Sequence, residues 1–346
     1  MTQQAVSERL RTLKASLFEA VLSEVLPKMH RRAAARSRPL NPAVARARAH
    51  FDLVVALDGS TLDALVRKAG LLRTSEQTPL AGRMAALLDV GTLLPQQIWF
   101  TPNAQANDRR FWPEVCKALE ALVAEGLKPL VLFDLGLVKH TLLDDLTELG
   151  VGLITRLRKG SSYHVTRVLA STDQVRDSLI VLGSTGARCQ RQMRLVEVLF
   201  QGQWYQYLTN VLDPAVLSAR DVASLYRSRW RIEDAFRIVK RLLGLAYFYS
   251  GCQNVVELQL WMTWLLYSVV VDLSDAVAEA LDKPLQRISF EMVFRGLYHF
   301  TQAYHRGEAQ DPVRYLAEAK DLGIVKRKRR RSKDPPDKNL TTANSP

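Results

Sequence analysis

Residues Pro129-Leu-Val-Leu-Phe133 are apolar throughout, bounded by Gly126 upstream and Asp134 immediately after. Five residues are too few for an ordinary helix, and a strand with no polar face must be covered on both sides. A buried, parallel strand is therefore expected, in a sheet that carries helices on its faces. The neighbouring segments supply those helices. Asp108 to Glu125 has helical spacing and is closed by Gly126, Val138 to Leu149 reads as a second helix stopped by Gly150, and Val151 to Leu157 is a further apolar strand. Upstream, Phe51 to Leu57 is a β-rich run ending at Asp58-Gly59, and Met84 to Val90 and Gln97 to Phe100 flank a turn near Leu94-Pro95. Three early antiparallel strands are the simplest arrangement.

The resulting order, β-β-β-α-β-α-β, is the ribonuclease-H-like pattern: an α/β fold with a mixed sheet flanked by helices. The expected architecture is that sheet, interrupted by an all-β insertion before its final helix, with helical N- and C-terminal parts. Residues 1–50 read as a helical basic N-terminal arm, with Leu10, Leu13, Leu17, Val21 and Val25 at helical spacing ahead of His30-Arg-Arg-Ala-Ala-Ala-Arg36. Residues 51–160 form the first part of the sheet domain. Residues 161–215, alternating strands separated by Gly, Ser and Thr, are the insertion, and 216–250 carry the returning helix. Residues 251–325 are a helical C-terminal region. Residues 326–346 open with Lys-Arg-Lys-Arg-Arg-Arg-Ser-Lys and are expected to be a solvated, disordered tail.

Forty-eight Lys and Arg against 35 Asp and Glu leave a formal charge of +13, which favours a polyanionic partner, nucleic acid ahead of an anionic membrane surface. The longest apolar run, Leu260 to Val271, falls short of the roughly 20 residues of a spanning helix and reads as a buried core helix; no membrane partner is expected. Met1 to Arg11 is polar and charged, unlike a signal peptide, so a cytoplasmic protein is expected. Cys116, Cys189 and Cys252 lie far apart with no C-x-x-C pair, which argues against zinc and disulfides.

Two aspartates sit where strands end: Asp58 after Val-Val-Ala-Leu and Asp134 after Leu-Val-Leu-Phe, each followed closely by a glycine, Gly59 or Gly136, that suits a tight turn. Open sheets bind ligands at strand carboxyl ends, and adjacent first and fourth strands would bring both carboxylates to one edge. Strand-end Asp-x-Gly is also ordinary turn chemistry, so neither aspartate is decisive alone. The third element is Tyr226-x-x-Arg229-x-x-x-Glu233-x6-Lys240. At about 100° per residue these four fall within roughly 60° of one helix face. Beside them runs an apolar stripe, Leu225, Ile232, Phe236, Val239 and Leu243, that would dock the helix on the sheet. A carboxylate and two cations then converge. The bland alternative is an amphipathic helix with an ordinary i, i+4 ion pair between Arg229 and Glu233.

These residues resemble the insertion-sequence-four type of DDE transposases, whose signature has the same Y-x2-R-x3-E-x6-K spacing. The resemblance runs from about Phe51 to Leu273 and includes Leu57-Asp-Gly-Ser-Thr61, Phe133-Asp-Leu-Gly136, Ile154-Thr-Arg-Leu157 and Tyr226-Arg-Ser-Arg-Trp-Arg-Ile-Glu233. It implies that Asp58, Asp134 and Glu233 are catalytic and hold two Mg²⁺ ions, for which Mn²⁺ would substitute. It also implies that Tyr226, Arg229 and Lys240 bind DNA near the cut and that Trp230 or Trp204 stacks on a flipped base. The implied activity is metal-dependent DNA cleavage at transposon ends and strand transfer into target DNA. The implied partners are double-stranded DNA, as terminal inverted repeats and as target, and a second copy in a synaptic homodimer. The setting would be a bacterial cytoplasm, at the nucleoid when bound. Two further readings stay open: a non-catalytic DNA-binding relic of a transposase, and a nuclease of the same fold that cuts without joining.

Overall fold

The structure is a computed structural model that describes residues 3–62, 82–103, 105–137, 140–183, 189–246, 248 and 252–327. Its strands are β1 (Leu53–Thr61), β2 (Arg83–Asp89), β3 (Pro95–Thr101), β4 (Pro129–Phe133), β5 (Gly152–Arg156), β6 (Tyr163–Ser171), β7 (Val175–Leu182), β8 (Met193–Phe200) and β9 (Gln203–Thr209). They form one sheet in the order β3-β2-β1-β4-β5-β9-β8-β7-β6. The first three pair antiparallel, while β4 runs parallel to β1 and β5 parallel to β4. Strands β9, β8, β7 and β6 continue the same sheet antiparallel from β5, through Ile154↔Thr209 and Arg156↔Tyr207.

The helices are α1 (Gln3–Thr12), α2 (Ser16–Ala35), α3 (Pro42–Ala47), α4 (Trp112–Ala124), α5 (His140–Glu148), α6 (Ala219–Ser228), α7 (Arg231–Arg237), α8 (Gln253–Ala280), α9 (Phe290–His305) and α10 (Pro312–Glu318). They cover both faces of the central strands, and side-chain alternation shows how. Val54 and Ala56 of β1, with Leu130 and Leu132 of β4, pack against Leu225, Ile232, Phe236 and Trp264. Val55 and Leu57, with Val131 and Phe133, pack against Val115 and Leu119 of α4 and Leu143 and Leu146 of α5. Burial on both faces is what makes β4 apolar throughout.

The 28 residues of α8 are long and apolar enough to cross a membrane by length and composition, yet 61% of its most apolar window is buried inside the protein. The reason is packing: Trp264 and Tyr267 are wholly buried, and the Tyr267 hydroxyl donates to Leu93 O at 3.0 Å.

The N-terminal segment departs from its sequence pattern. Of the expected stripe, Leu13, Leu17 and Val21 are exposed, and α2 instead buries Leu22, Leu26, Met29 and Ala33. Several arginines of this basic stretch are held by carboxylates of the folded protein: Arg32 and Arg36 by Asp272, Arg36 and Arg38 by Asp275, Arg46 by Asp221 and Arg48 by Asp89. Much of the arm's charge is thus spent on docking it to α8, α6 and β2. The tail expected at 326–346 lies outside the described residues beyond Arg327.

Candidate active site

The β1–β4 register ends at Leu57↔Phe133, so the next residues, Asp58 and Asp134, emerge side by side at the carboxyl edge of two parallel strands. Both have the parity of Val54, Ala56, Leu130 and Leu132, the face under α6 and α7. The tight turn expected at Gly59 does not form, because β1 runs on to Thr61 with Gly59 opposite Ala85. Gly59 answers a different need: a Cβ there would stand 1.9 Å from Asp108 Oδ1.

Helix α6 starts at Ser218, whose hydroxyl caps it by accepting from the Asp221 amide at 3.2 Å. Leu225, Ile232 and Phe236 anchor α6 and α7 on the sheet, each contributing roughly 1.5–3 kcal/mol by burial. The helix is not continuous across the signature. It breaks at Arg229-Trp230 between α6 and α7, and a π-helical segment, Ile238–Leu242, carries Lys240. Both irregularities fall on signature residues, where a regular face would aim the side chains differently.

The side chains still converge. The Tyr226 hydroxyl donates to Asp134 Oδ1 at 3.0 Å. Arg229, whose side chain is 4% exposed, donates through Nη1 to Asp58 Oδ2 at 2.7 Å and through Nη2 to Glu233 Oε1 at 3.4 Å. Its Nε is buried without a hydrogen-bond partner among the described residues. Lys240 Nζ donates to Ser60 Oγ and to Thr61 O, both at 2.5 Å. Trp230 is 56% exposed beside the Arg229 guanidinium, 5.3 Å from its ring centroid. Trp204 sits on β9 with Arg176 over its ring at 4.4 Å.

Desolvation raises the Asp58 carboxyl above its ordinary 3.8; Arg229 and the Gly59 amide oppose this, and Asp108 and Asp134 add to it. Glu233 is likewise raised, first by desolvation and also by Asp58 and Asp134, against Arg229. Burial works against the Arg229 charge, but Asp58, Tyr226, Asp134 and Glu233 outweigh it, and its pKa goes up. Three acidic groups thus share one field, with a guanidinium as their common counter-charge.

The sequence reading missed a brace beneath them. Arg83 grips Asp108 through both nitrogens, Nε–Oδ1 at 2.6 Å and Nη2–Oδ2 at 2.8 Å, and Asp108 lies against Gly59. The next residue, Arg109, donates to Gly136 O at 3.0 Å. One 3₁₀ turn, Asp108–Phe111, therefore touches the residue after Asp58 and the second residue after Asp134. Only the neighbouring glycines hinted at this in sequence.

The family profile of the transposase DDE domain matches residues 50–269, which include the whole sheet and α4 to α7. The chain belongs to the DDE transposase family. It is also 26% identical over 145 residues to a probable transposase for insertion sequence element IS5377 from Geobacillus stearothermophilus, a stretch that is 40% of this chain and 37% of that relative.

DDE transposases are generally dependent on divalent metal. Asp58, Asp134 and Glu233 fit such an ion in donor chemistry, since carboxylate oxygens are what a hard cation takes. They do not form a ready cage: among the described residues no three His, Cys, Asp or Glu side chains stand close enough to hold a metal. Arg229 lies between Asp58 and Glu233 and supplies the positive charge there.

Proposed function

We propose that this chain is a transposase of the insertion-sequence-four type that cuts DNA at transposon ends and joins the freed ends to target DNA. The observation that carries the reading is the meeting of Asp58, Asp134, Tyr226, Arg229 and Glu233 at one sheet edge, drawn from β1, β4 and the α6–α7 pair. On this reading strands β1–β5 are a ribonuclease-H-like core, β6–β9 are its insertion, and Asp58, Asp134 and Glu233 hold two Mg²⁺ ions. Bound there, the ions would supply charge neutralisation at the attacking and leaving oxygens and acidify a water.

The protein's own groups orient and hold. Tyr226 fixes the Asp134 carboxylate by its hydroxyl bond. Arg229, with an unpartnered Nε and a long contact to Glu233, is set to exchange carboxylates for a phosphate oxygen as DNA enters. Lys240 places a point charge beside the β1 extension, and exposed Trp230 offers a face for a base next to the cut. In the first step water attacks phosphorus and the bond to the 3′ oxygen breaks, leaving a 3′ hydroxyl on the element and a 5′ phosphate on the flank. In the second that hydroxyl attacks a target phosphodiester and displaces its 3′ oxygen. Both are in-line phosphoryl transfers. Bringing two ends together calls for two copies of the chain, in a bacterial cytoplasm.

Cleavage and joining of a labelled duplex carrying the element's ends, with Mg²⁺ or Mn²⁺, tests the reading. Joined product from wild type, reduced on the order of 10²–10³-fold or more in Asp58→Asn, Asp134→Asn and Glu233→Gln, is expected. DNA binding without cleavage by folded wild type would instead establish the relic, and cut but never joined DNA the nuclease.

A further inference from the structure

A groove of about 520 Å³ opens between residues 237–242 and the start of α9. Arg237, Arg241, Arg295 and Lys326 line it against a single carboxylate, Glu291, with Phe290 in its wall. Among the described residues Arg237 and Arg295 make surface ion pairs, with Asp234 and Glu291, and both side chains are 63% exposed. Such pairs are worth about 1 kcal/mol or less and exchange readily for another anion. Lys326 is fixed in place: its amide donates to Arg287 O at 2.7 Å, Arg287 donates to its carbonyl at 2.6 Å, and its ammonium lies 5.7 Å from the Phe290 ring centroid. Desolvation lowers the Lys326 ammonium from its usual range, and Arg231 and Arg237 lower it further against the pull of Asp234. Cations therefore crowd one another here, which an anion would relieve.

Position says which anion. Arg237 lies one turn past Glu233, about 6 Å along the helix, so the groove adjoins the candidate active site. Lys326 also opens the run Lys-Arg-Lys-Arg-Arg-Arg-Ser-Lys in the sequence. We infer that this groove takes the phosphate backbone of a DNA duplex, on the part of the molecule beyond the segment that reaches Asp58 and Glu233. The inference rests on the reading of the chain as a DNA-acting transposase, and it assigns to the far end of the signature segment a positioning role that reads no sequence.

The test is the salt dependence of binding of the full chain to a duplex of arbitrary sequence. With the triad intact, wild type is compared with the triple variant Arg237→Gln, Arg241→Gln, Arg295→Gln and with Glu291→Gln. The expected result is a log–log salt slope shallower by up to about 2.7 in the triple variant, at about 0.9 per lost phosphate contact, and tighter binding by Glu291→Gln. A thermal melt checks the fold; should the triple variant melt early, the exposed single variants R237Q and R295Q carry the test, at about 0.9 each. An unchanged slope with wild type still binding DNA would overturn the groove alone. So would a triple variant that loses binding to phosphatidylserine vesicles but not to DNA, since the surface would then serve lipid. No DNA binding by wild type would bring down the transposase reading itself.

Discussion

Among the buried arginines that face aspartates, Arg194 and Arg229 are satisfied to very different degrees. Arg194 on β8, with a side chain 0% exposed, holds Asp177 through both nitrogens at 2.8 and 2.6 Å and spends its remaining nitrogen on Leu217 O and Val211 O. Every nitrogen is used, and the carbonyls it ties belong to the loop that leads into α6. Arg229 is almost as deeply buried, yet among the described residues it has one good bond to Asp58, one long contact to Glu233 and a nitrogen with no hydrogen-bond partner. Burying an unpaired donor costs about 1–3 kcal/mol, a deficit that Arg48 and Arg287 also carry at Nε. The contrast separates an arginine whose nitrogens are all paired within the sheet from a partly paired one at the candidate site.

Substitution should break the two apart. Arg194→Ala leaves Asp177 buried and alone and is expected to cost about 3–5 kcal/mol in denaturant unfolding. Arg229→Gln should cost less, about 1–2 kcal/mol, because Asp58 keeps some access to water. The same change should raise Mn²⁺ affinity about 10-fold in calorimetric titration, by freeing two carboxylates. Equal stability losses with no gain in metal affinity would erase the distinction.

A second contrast, between Asp58 and Asp144, concerns pH. Desolvation pushes Asp144 up, but the Cys189 thiol and the Gln190 and Arg191 amides outweigh it, and its carboxyl falls below the ordinary 3.8. Its contribution to stability is therefore present above pH 3.8 and lost as pH falls through the lowered value. Asp58 is raised, so its contribution is complete below 3.8 and is lost as pH rises through its folded value. Melting temperatures against pH should show wild type losing ground to Asp58→Asn with rising pH, and losing its advantage over Asp144→Asn with falling pH. The smallest effect belongs to Trp230→Ala. Stability should stay within about 0.5 kcal/mol, while fluorescence of 2-aminopurine at the terminal base changes on binding to wild type and not to the variant.

The parts of this site that could be read from sequence are those set by local pattern. A five-residue apolar run dictates a strand covered on both faces, and side-chain parity along β1 and β4 then sends Asp58 and Asp134 to the same face. Non-local packing decided the rest. The N-terminal stripe through Leu13, Leu17 and Val21 was misleading because α2 has apolar residues on more than one side. Its docking on α8, fastened by Arg32 and Arg36 to Asp272, selects Leu22, Leu26 and Met29 for burial. Periodicity treats residues 226–240 as one helix and cannot register the break at Arg229-Trp230 or the π segment at Lys240. The Arg83–Asp108 pair joins residues 25 apart in sequence and leaves no periodic trace.

The proposed reading has Asp58, Asp134 and Glu233 hold divalent ions once Arg229 moves from Asp58 to a DNA phosphate. Crystals of the protein with a short duplex of its element's end, grown with Mn²⁺, would test it directly by anomalous scattering. Manganese peaks bounded by the three carboxylates, with the Arg229 guanidinium moved onto a DNA phosphate, are expected. Density for DNA in the site with Arg229 still on Asp58 and no manganese among the three carboxylates would contradict it.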